Sequence, residues 1–199
     1  MVFLLATRNQ GKLRELQALL GDLDIELVTL EAFPDVPDVE EDVVDFLENA
    51  RRKALHYYSW TGLPTIADDS GLTIEALRGW PGVRSARVGS DDASRIRVVL
   101  EALAGSGRQT DRRAAFVCAV CAVLADGELI EVAERVDGLI TEEPRGEGGF
   151  GYDPIFLYLP AGKTFAEMTE EEKNAVSHRG RALRSIKQQL DAHLSKVES

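Results

Sequence analysis

Two adjacent aspartates, Asp68 and Asp69, stand in the stretch TIADDSGL, directly after a short run of small apolar residues. The apolar run is typical of a strand end that enters a protein core. Two neighbouring negative charges at such a place are costly unless positive charge compensates them. Because Asp-Ser-Gly is common in turns, a plain turn is the simple interpretation. The alternative is a site that holds a cation.

More carboxylates follow each other at Glu40 and Glu41, inside the acidic, proline-containing segment 33–44 that we expect to be a loop. These two side chains are either solvated loop residues or metal ligands. Carboxylate clusters without His or Cys suit Mg²⁺ rather than Zn²⁺. An ion held by these acids would neutralise the aspartates and carry phosphates.

The segment ATRNQGK, Ala6–Lys12, follows an expected strand and opens an expected helix. Backbone N–H groups and the helix dipole at such a junction face an anion, and Arg8 and Lys12 add positive charge. The segment is not a P-loop, which needs Gly at position 6 and Ser or Thr at position 13. Most junctions of this kind are simple connections, so this feature needs support from others.

The glycine-rich loop RGEGGFGYDP, Arg145–Pro154, matches the GxGxxG pattern. A dinucleotide site requires a helix directly after this pattern, whereas Asp153-Pro154 and a strand follow here, so we reject that interpretation. A flexible turn is the simple alternative. The functional alternative is a loop that approaches a flat ligand while Phe150 stacks on a nucleobase.

The segment KNAVSHRGR, Lys173–Arg181, is rich in hydrogen-bond donors and positive charge. A solvated helix face is the default interpretation of such a run. Ser177, His178 and Arg179 could instead bind the acceptor-rich edge of a ring. Together with the preceding features, this segment completes the requirements of a nucleoside triphosphate site: cations, a metal, a stacking ring and a base-edge donor set.

Strands and helices alternate in the first half of the chain, and Asp126-Gly127 marks a hairpin in the second half. The pattern predicts an α/β fold with a mixed twisted sheet flanked by helices. Asn9, Asp45 and Thr169 are expected to cap helices. On the helix that begins at Asp45, the apolar stripe is expected at Leu47, Ala50, Ala54 and Tyr58, and a polar stripe at Asn49, Lys53 and His56.

The chain has 199 residues, 44% of them hydrophobic, and a net charge of −11. The length fits a single domain, 1–199. The acidic balance argues against a nucleic-acid-binding protein, and no apolar run is long enough to span a bilayer. We expect a cytoplasmic protein. Cys118 and Cys121 lie in an expected strand, which would point their thiols to opposite faces and indicates buried structural cysteines.

The motifs ATRNQGK, EE before FLENARRKA, ADDSGL, GGFGYDPIF and EEKNAVSHRGRAL occur in one order and resemble the inosine/xanthosine triphosphate pyrophosphatase family. The similarity runs from about Val2 to Leu190. It implies an elongated fold of two lobes with a central cleft, usually as a homodimer. It also implies Mg²⁺-dependent hydrolysis of aberrant purine nucleotides (ITP, dITP, XTP) to the monophosphate and pyrophosphate.

The resemblance also implies roles for individual residues. Asp69 would be the general base, assisted by Lys12 and Lys53, and Glu40 or Glu41 would hold the metal with Asp69. The implied substrate-binding residues are Thr7, Arg8, Asn9, Gln10, Gly11, Lys12, Ser70, Phe150, Gly151, Tyr152, Asp153, Lys173, His178 and Arg179.

Two other functions are open at this point. The septum-associated nucleotide pyrophosphatases, which remove modified pyrimidine nucleotides, share the chemistry, although FGYDP followed by SHR favours the purine group. A non-catalytic nucleotide sensor would use the same pocket, but it would not need four acidic residues in two pairs.

Overall fold

The structure is a computed structural model that describes residues 1–39, 43–108 and 110–197. Its helices are α1 (Gln10–Leu20), α2 (Phe46–Thr61), α3 (Asp92–Gly105), α4 (Glu170–Val176) and α5 (His178–Val197). Its strands are β1 (Val2–Leu5), β2 (Glu26–Thr29), β3 (Thr65–Ile74), β4 (Arg113–Val123), β5 (Leu129–Ile140), β6 (Phe156–Tyr158) and β7 (Lys163–Thr164). The predicted α/β class is confirmed.

The strands form one mixed sheet in the order β2-β1-β3-β4-β5-β6-β7. Strand β1 is parallel to both β2 and β3, whereas β6 is antiparallel to both β5 and β7. Helices α1 and α2 lie in the connections between the parallel strands, as parallel pairing requires. The expected hairpin at Asp126-Gly127 joins β4 to β5, and Gly127 has the positive φ of 86° that such a turn favours.

The three N-cap residues predicted from the sequence are confirmed. The Asn9 side chain accepts a hydrogen bond from the N–H of Lys12 at 3.0 Å, and Asp45 accepts one from the N–H of Glu48 at 2.8 Å. Thr169 begins α4 with a complete capping box. These contacts satisfy backbone donors that a helix leaves unpaired at its first turn.

The chain forms two compact units. Unit 1 consists of Met1–Asp69, Cys118–Glu134 and Arg179–Ser199, and unit 2 consists of Ser70–Val117 and Arg135–His178. The sequence-based expectation of one inseparable domain with a central cleft stays a prediction.

Unit 1 is buried on both faces of its strands. One core cluster joins Phe3, Leu5 and Ile66 of the sheet to α1 and α5, and the other joins Leu4 and Ala67 to α2. Because successive strand residues point to opposite faces, even and odd positions of β3 enter different clusters. This two-sided burial is typical of parallel strands covered by helices.

Unit 2 has its own core, which contains three phenylalanines in mutual contact. The Phe116 ring centroid lies 4.6 Å from that of Phe156 and 5.8 Å from that of Phe165. Leu72 and Ile74 of β3 and Val99 and Leu103 of α3 complete its apolar centre, together with other buried residues. This core supports the loop that precedes β6.

Strand β3 differs from the sequence-based expectation. The strand does not end at Ala67 but continues to Ile74, so Asp68 and Asp69 lie within it. The turn interpretation of Asp-Ser-Gly is therefore wrong, because the pairing of β3 with its neighbours in the sheet outweighs the local turn preference. On α2, the expected stripe packs on one core cluster, with Leu47 and Tyr58 partly buried, and Tyr57 adds to it. Asn49, expected in the polar stripe, is buried.

The two cysteines lie on opposite faces of β4, as predicted. Cys118 belongs to the cluster with α1 and α5, and Cys121 belongs to the cluster with α2. Burial raises the pKa of each thiol to about 12. No helix within residues 1–39, 43–108 and 110–197 has the length and apolar character needed to cross a membrane.

Neither cysteine is expected to react with the thiol reagent DTNB at pH 8 in the folded protein. A pKa of about 12 leaves about one thiol in ten thousand ionised at that pH, and burial denies access to the reagent. Both thiols should react after unfolding in guanidinium chloride. Rapid labelling of the native protein would contradict the buried placement.

Candidate active site

Asp68 is the centre of a buried charge network in unit 1. Its side chain is fully buried, and its Oδ2 lies 2.9 Å from Lys12 Nζ and 3.4 Å from Arg179 Nε. Burial alone would raise the pKa of Asp68, but attraction to Lys12 and Arg179 outweighs it and holds the pKa well below the usual range. Asp68 is therefore ionised at neutral pH.

Arg179 links this network to α1. Its guanidinium also forms an ion pair with Glu15, and only 3% of its side chain is exposed. Two carboxylates, Asp68 and Glu15, thus face the cations Lys12 and Arg179. A third cation, Lys53 of α2, donates a hydrogen bond to the backbone carbonyl of Asp68 at 2.9 Å.

The compensating charge of Asp68 therefore comes from the protein itself. Lys12 and Arg179 supply positive charge to Asp68, and the expectation that a divalent ion also neutralises the aspartates stays a prediction. The sequence interpretation missed the contribution of Arg179 because Arg179 is 111 positions away from Asp68 along the chain.

Asp69 points to the other face of β3, where α2 covers it. It is 4% exposed, and its Oδ2 accepts a hydrogen bond of 3.0 Å from Asn49 Nδ2. Asn49 Nδ2 also donates to the backbone carbonyl of Val43 at 2.9 Å. Asn49 was not among the predicted site residues, although it precedes Lys53 by one helical turn and shares its face. That spacing was the available signal.

The donor atoms near Asp69 suit magnesium. Asp69 offers carboxylate oxygen, and the buried Oδ1 of Asn49 has no hydrogen-bond partner among the described residues. Both are hard oxygen donors of the kind that Mg²⁺ prefers. Glu40 and Glu41 lie outside the described residues, and within the described ranges no group of three acidic, His or Cys side chains is assembled. The magnesium site stays a prediction.

The predicted anion-binding segment, Thr7–Lys12, forms the turn from β1 into α1. Thr7 Oγ1 accepts a hydrogen bond from the N–H of Asn9 at 3.2 Å, which orders the turn. The N–H groups of Gln10 and Gly11 belong to the first helical turn, where a helix has no internal acceptors. Arg8 is exposed and pairs with Asp38 at 3.0 Å.

Phe150 and Asp153 are brought together with Lys173 in unit 2. Asp153 Oδ2 accepts hydrogen bonds from the N–H of Phe150 at 2.9 Å and from Lys173 Nζ at 2.6 Å. Lys173 Nζ also lies 4.5 Å from the centroid of the Phe150 ring. A Cβ at Gly149, whose φ is +71°, would lie 2.1 Å from Asp153 Oδ2, so glycine is required there.

The remaining predicted residues of unit 2 are held by its core. His178 is 4% exposed and stacks on Phe116, with 4.5 Å between ring centroids. Tyr152 is buried, and its hydroxyl donates to the Ser85 carbonyl at 2.7 Å. Burial raises the pKa of Tyr152. Ser70 is partly exposed on β3.

The basic segment at residues 173–181 is not simply a solvated helix face. Lys173, Ser177, His178 and Arg179 are all at most 5% exposed. Burying this many polar and charged groups requires specific partners. The default interpretation is therefore wrong for these four residues, and their burial favours a role in a site.

A family model described as the Ham1 family matches residues 3–189, nearly the whole chain. The chain belongs to the Ham1 family. Two curated relatives of the Ham1 chain are named dITP/XTP pyrophosphatase. The protein from Desulfotalea psychrophila is 48% identical over 189 residues, which are 94% of this chain and 83% of the relative. The protein from Gloeobacter violaceus is 50% identical over 183 residues, 92% of this chain and 91% of the relative.

Solved structures of Ham1 proteins have the same fold. A HAM1 protein from Coxiella burnetii superposes with a TM-score of 0.88 at 44% identity, covering 96% of this chain and 99% of that chain. The Ham1 protein of Staphylococcus aureus gives a TM-score of 0.85 at 36% identity, covering 97% and 100%. The family resemblance inferred from the motifs and the mixed-sheet fold are both confirmed.

The substitution Asp68→Asn is expected to lower the free energy of unfolding of this Ham1 chain by about 3–5 kcal/mol, because it leaves buried cations without their carboxylate. Urea denaturation followed by tryptophan fluorescence measures the change. Asp137→Asn is the matched control: Asp137 pairs with Arg135 at the surface, and losing an exposed pair costs about 1 kcal/mol or less. Equal stability of Asp68→Asn and the unsubstituted protein would contradict the network.

Proposed function

We propose that this chain hydrolyses aberrant purine nucleoside triphosphates (dITP, ITP and XTP) to the monophosphate and pyrophosphate, and so removes them from the nucleotide pool. The observation that carries the proposal is the arrangement around β3. Lys12 and Lys53 are held at Asp68, and the buried carboxylate of Asp69 follows it on the opposite face. Relatives about half identical over nearly the whole chain are named dITP/XTP pyrophosphatase.

The triphosphate is assigned to the first turn of α1 and to Lys12 and Lys53. Backbone N–H groups of the first turn of α1 and the positive end of its dipole favour phosphate oxygens. Lys12 is held by Asp68, and Lys53 by the carbonyl of the same residue. Cations fixed in advance stabilise the charge that develops on a departing pyrophosphate without reorganising during the reaction.

Asp69 is assigned as the general base. It is held by Asn49, and it would take a proton from the water that attacks the α-phosphorus. Mg²⁺, when bound by Asp69 with Glu40 or Glu41, supplies charge neutralisation of the phosphates.

The base is assigned to Phe150, which offers a stacking face. Lys173 and Asp153 lie beside Phe150, and His178 follows in the same unit. Hypoxanthine and xanthine carry a carbonyl at the six-position, whereas adenine carries an amino group. Donors from His178 or Arg179 would therefore match the first two bases and oppose the donor of the third. Arg179 pairs with Asp68 and Glu15, so we assign the main share of this recognition to His178.

A homodimer and a cytoplasmic location are also part of the proposal. The support for both comes from the family resemblance of the sequence. The names of the relatives favour the purine pyrophosphatases over the group that acts on modified pyrimidine nucleotides. The buried Asp69 carboxylate favours an enzyme over a sensor, because a sensor has no need of a base.

Asp69→Asn is expected to abolish release of pyrophosphate from ITP, because an amide cannot take the proton from water. The assay is enzyme-coupled pyrophosphate detection with Mg²⁺, repeated with EDTA, in which the unsubstituted protein should also be inactive. Asp137→Asn serves as the surface control and should keep full activity. Turnover by a clean preparation of Asp69→Asn would remove this residue from its role.

Hydrolysis of ITP in ¹⁸O-labelled water should place the label in the monophosphate, because attack is expected at the α-phosphorus. Mass spectrometry of the products measures the label. Label in inorganic phosphate or pyrophosphate would refute attack at the α-phosphorus.

In the pyrophosphate-release assay, kcat/KM for ITP should exceed that for ATP by about a hundredfold, since each mismatched buried donor costs about 1–3 kcal/mol. Equal kcat/KM for the two nucleotides would refute the proposed recognition of the six-carbonyl.

A further inference from the structure

The glycine-rich loop and α3, from Asp92 to Glu101, line an open cavity of about 590 Å³ in unit 2. Ile96 and Leu100 line it from the helix, and Gly148 and Phe150 line it from the loop. Beside the cavity, burial of Tyr152 and Ile155 in the core of unit 2 anchors the end of the loop. At Phe150 and Gly151, polar contacts of the backbone add to this packing.

One such contact joins the two walls of the cavity. Asp92, the first residue of α3, accepts a hydrogen bond of 2.7 Å from the N–H of Gly151 through Oδ2. Its other carboxylate oxygen accepts one from Arg95 Nη1, also at 2.7 Å. The ion pair with Arg95, three residues further along α3, restricts the orientation of the Asp92 side chain. Bonds from a peptide N–H to a carboxylate are among the stronger hydrogen bonds in proteins.

The bond to Asp92 has a counterpart on the preceding residue. The N–H of Phe150 donates to Asp153, and the N–H of Gly151 donates to Asp92. The two peptide groups that flank the Phe150 α-carbon are therefore each held by a carboxylate from a different element. Together these bonds set where the Phe150 backbone lies and thus where its ring is presented.

We propose that Asp92 is a positioning residue that places Phe150 for stacking on the base of the substrate. The inference deepens the proposed function and rests on it. Asp92 is suited to this role because its helix begins with a complete capping box between Asp91 and Ser94, which makes the first turn of α3 a rigid support. Asp92 acts through the loop and has no assigned contact with the reacting phosphates.

Three variants separate this role from simple helix stability. Asp92→Ala removes the acceptor for Gly151, whereas Asp92→Asn keeps a carbonyl oxygen that can accept the bond. Asp91→Ala is the matched control, because it removes the helix cap at the adjacent position and leaves the Asp92 carboxylate in place. Thermal unfolding should show a lower Tm for Asp91→Ala.

Hydrogen–deuterium exchange, measured without substrate, tests the positioning directly. In Asp92→Ala the peptide covering residues 146–152 should exchange about tenfold faster than in the unsubstituted protein, and Asp92→Asn should restore most of the protection. In Asp91→Ala the faster exchange should be confined to the start of α3. Unchanged exchange of the loop in Asp92→Ala, or equal loosening in Asp91→Ala, would overturn the proposal.

Steady-state kinetics tests the consequence for the substrate. Asp92→Ala should raise KM for ITP about tenfold while kcat changes less than twofold, because the base is bound but does not react. Binding of the α,β-methylene analogue of ITP, measured by calorimetry, should weaken by a similar factor. A loss in kcat with unchanged KM would overturn the positioning role. If the unsubstituted protein does not hydrolyse ITP, the proposed function fails, while the exchange result still reports on Asp92 and the loop.

Discussion

The two-residue period of strand β3 is the constraint on which the arrangement of the candidate site depends. Since neighbouring strand residues point to opposite faces, Asp68 and Asp69 are adjacent in sequence and separated in environment. Asp68 enters the face covered by α1 and α5, where Lys12 and Arg179 meet it. Asp69 enters the face covered by α2, where Asn49 meets it. One strand thereby gives two adjacent carboxylates different partners.

The network around Asp68 fixes the positions of its charged side chains more than it adds net stability to the fold. Buried ion pairs offset a large desolvation cost and often contribute little net free energy, although removing one partner is strongly destabilising. In return, Lys12 is fixed at a definite place by a carboxylate that stays ionised. A cation held in place in advance needs no reorientation when charge develops beside it, which is the property that the proposed function asks of Lys12.

Sequence patterns predicted the features of this protein that depend on near neighbours. Helix caps at Asn9 and Asp45 and the hairpin at Asp126-Gly127 are specified within a few residues, and the structure has all three. The simple alternative of a turn at Asp-Ser-Gly was wrong because the sheet, a non-local structure, extends β3 through it. The pairing of Arg179 with Glu15 spans 164 positions, and no local pattern carries that information.

The glycine-rich loop shows how one pattern acquires different physical meanings. In a dinucleotide site the glycines let the backbone approach a pyrophosphate. In this loop, Gly149 gives room to the Asp153 carboxylate, which occupies the space that a Cβ would need. That carboxylate binds the N–H of Phe150 and the ammonium of Lys173. Gly149 therefore allows Asp153 to order Phe150. The conformational entropy that the glycine-rich loop loses on folding is offset by the hydrogen bonds to the Asp153 carboxylate. In this chain the GxGxxG pattern therefore helps to order Phe150 and does not form a dinucleotide site.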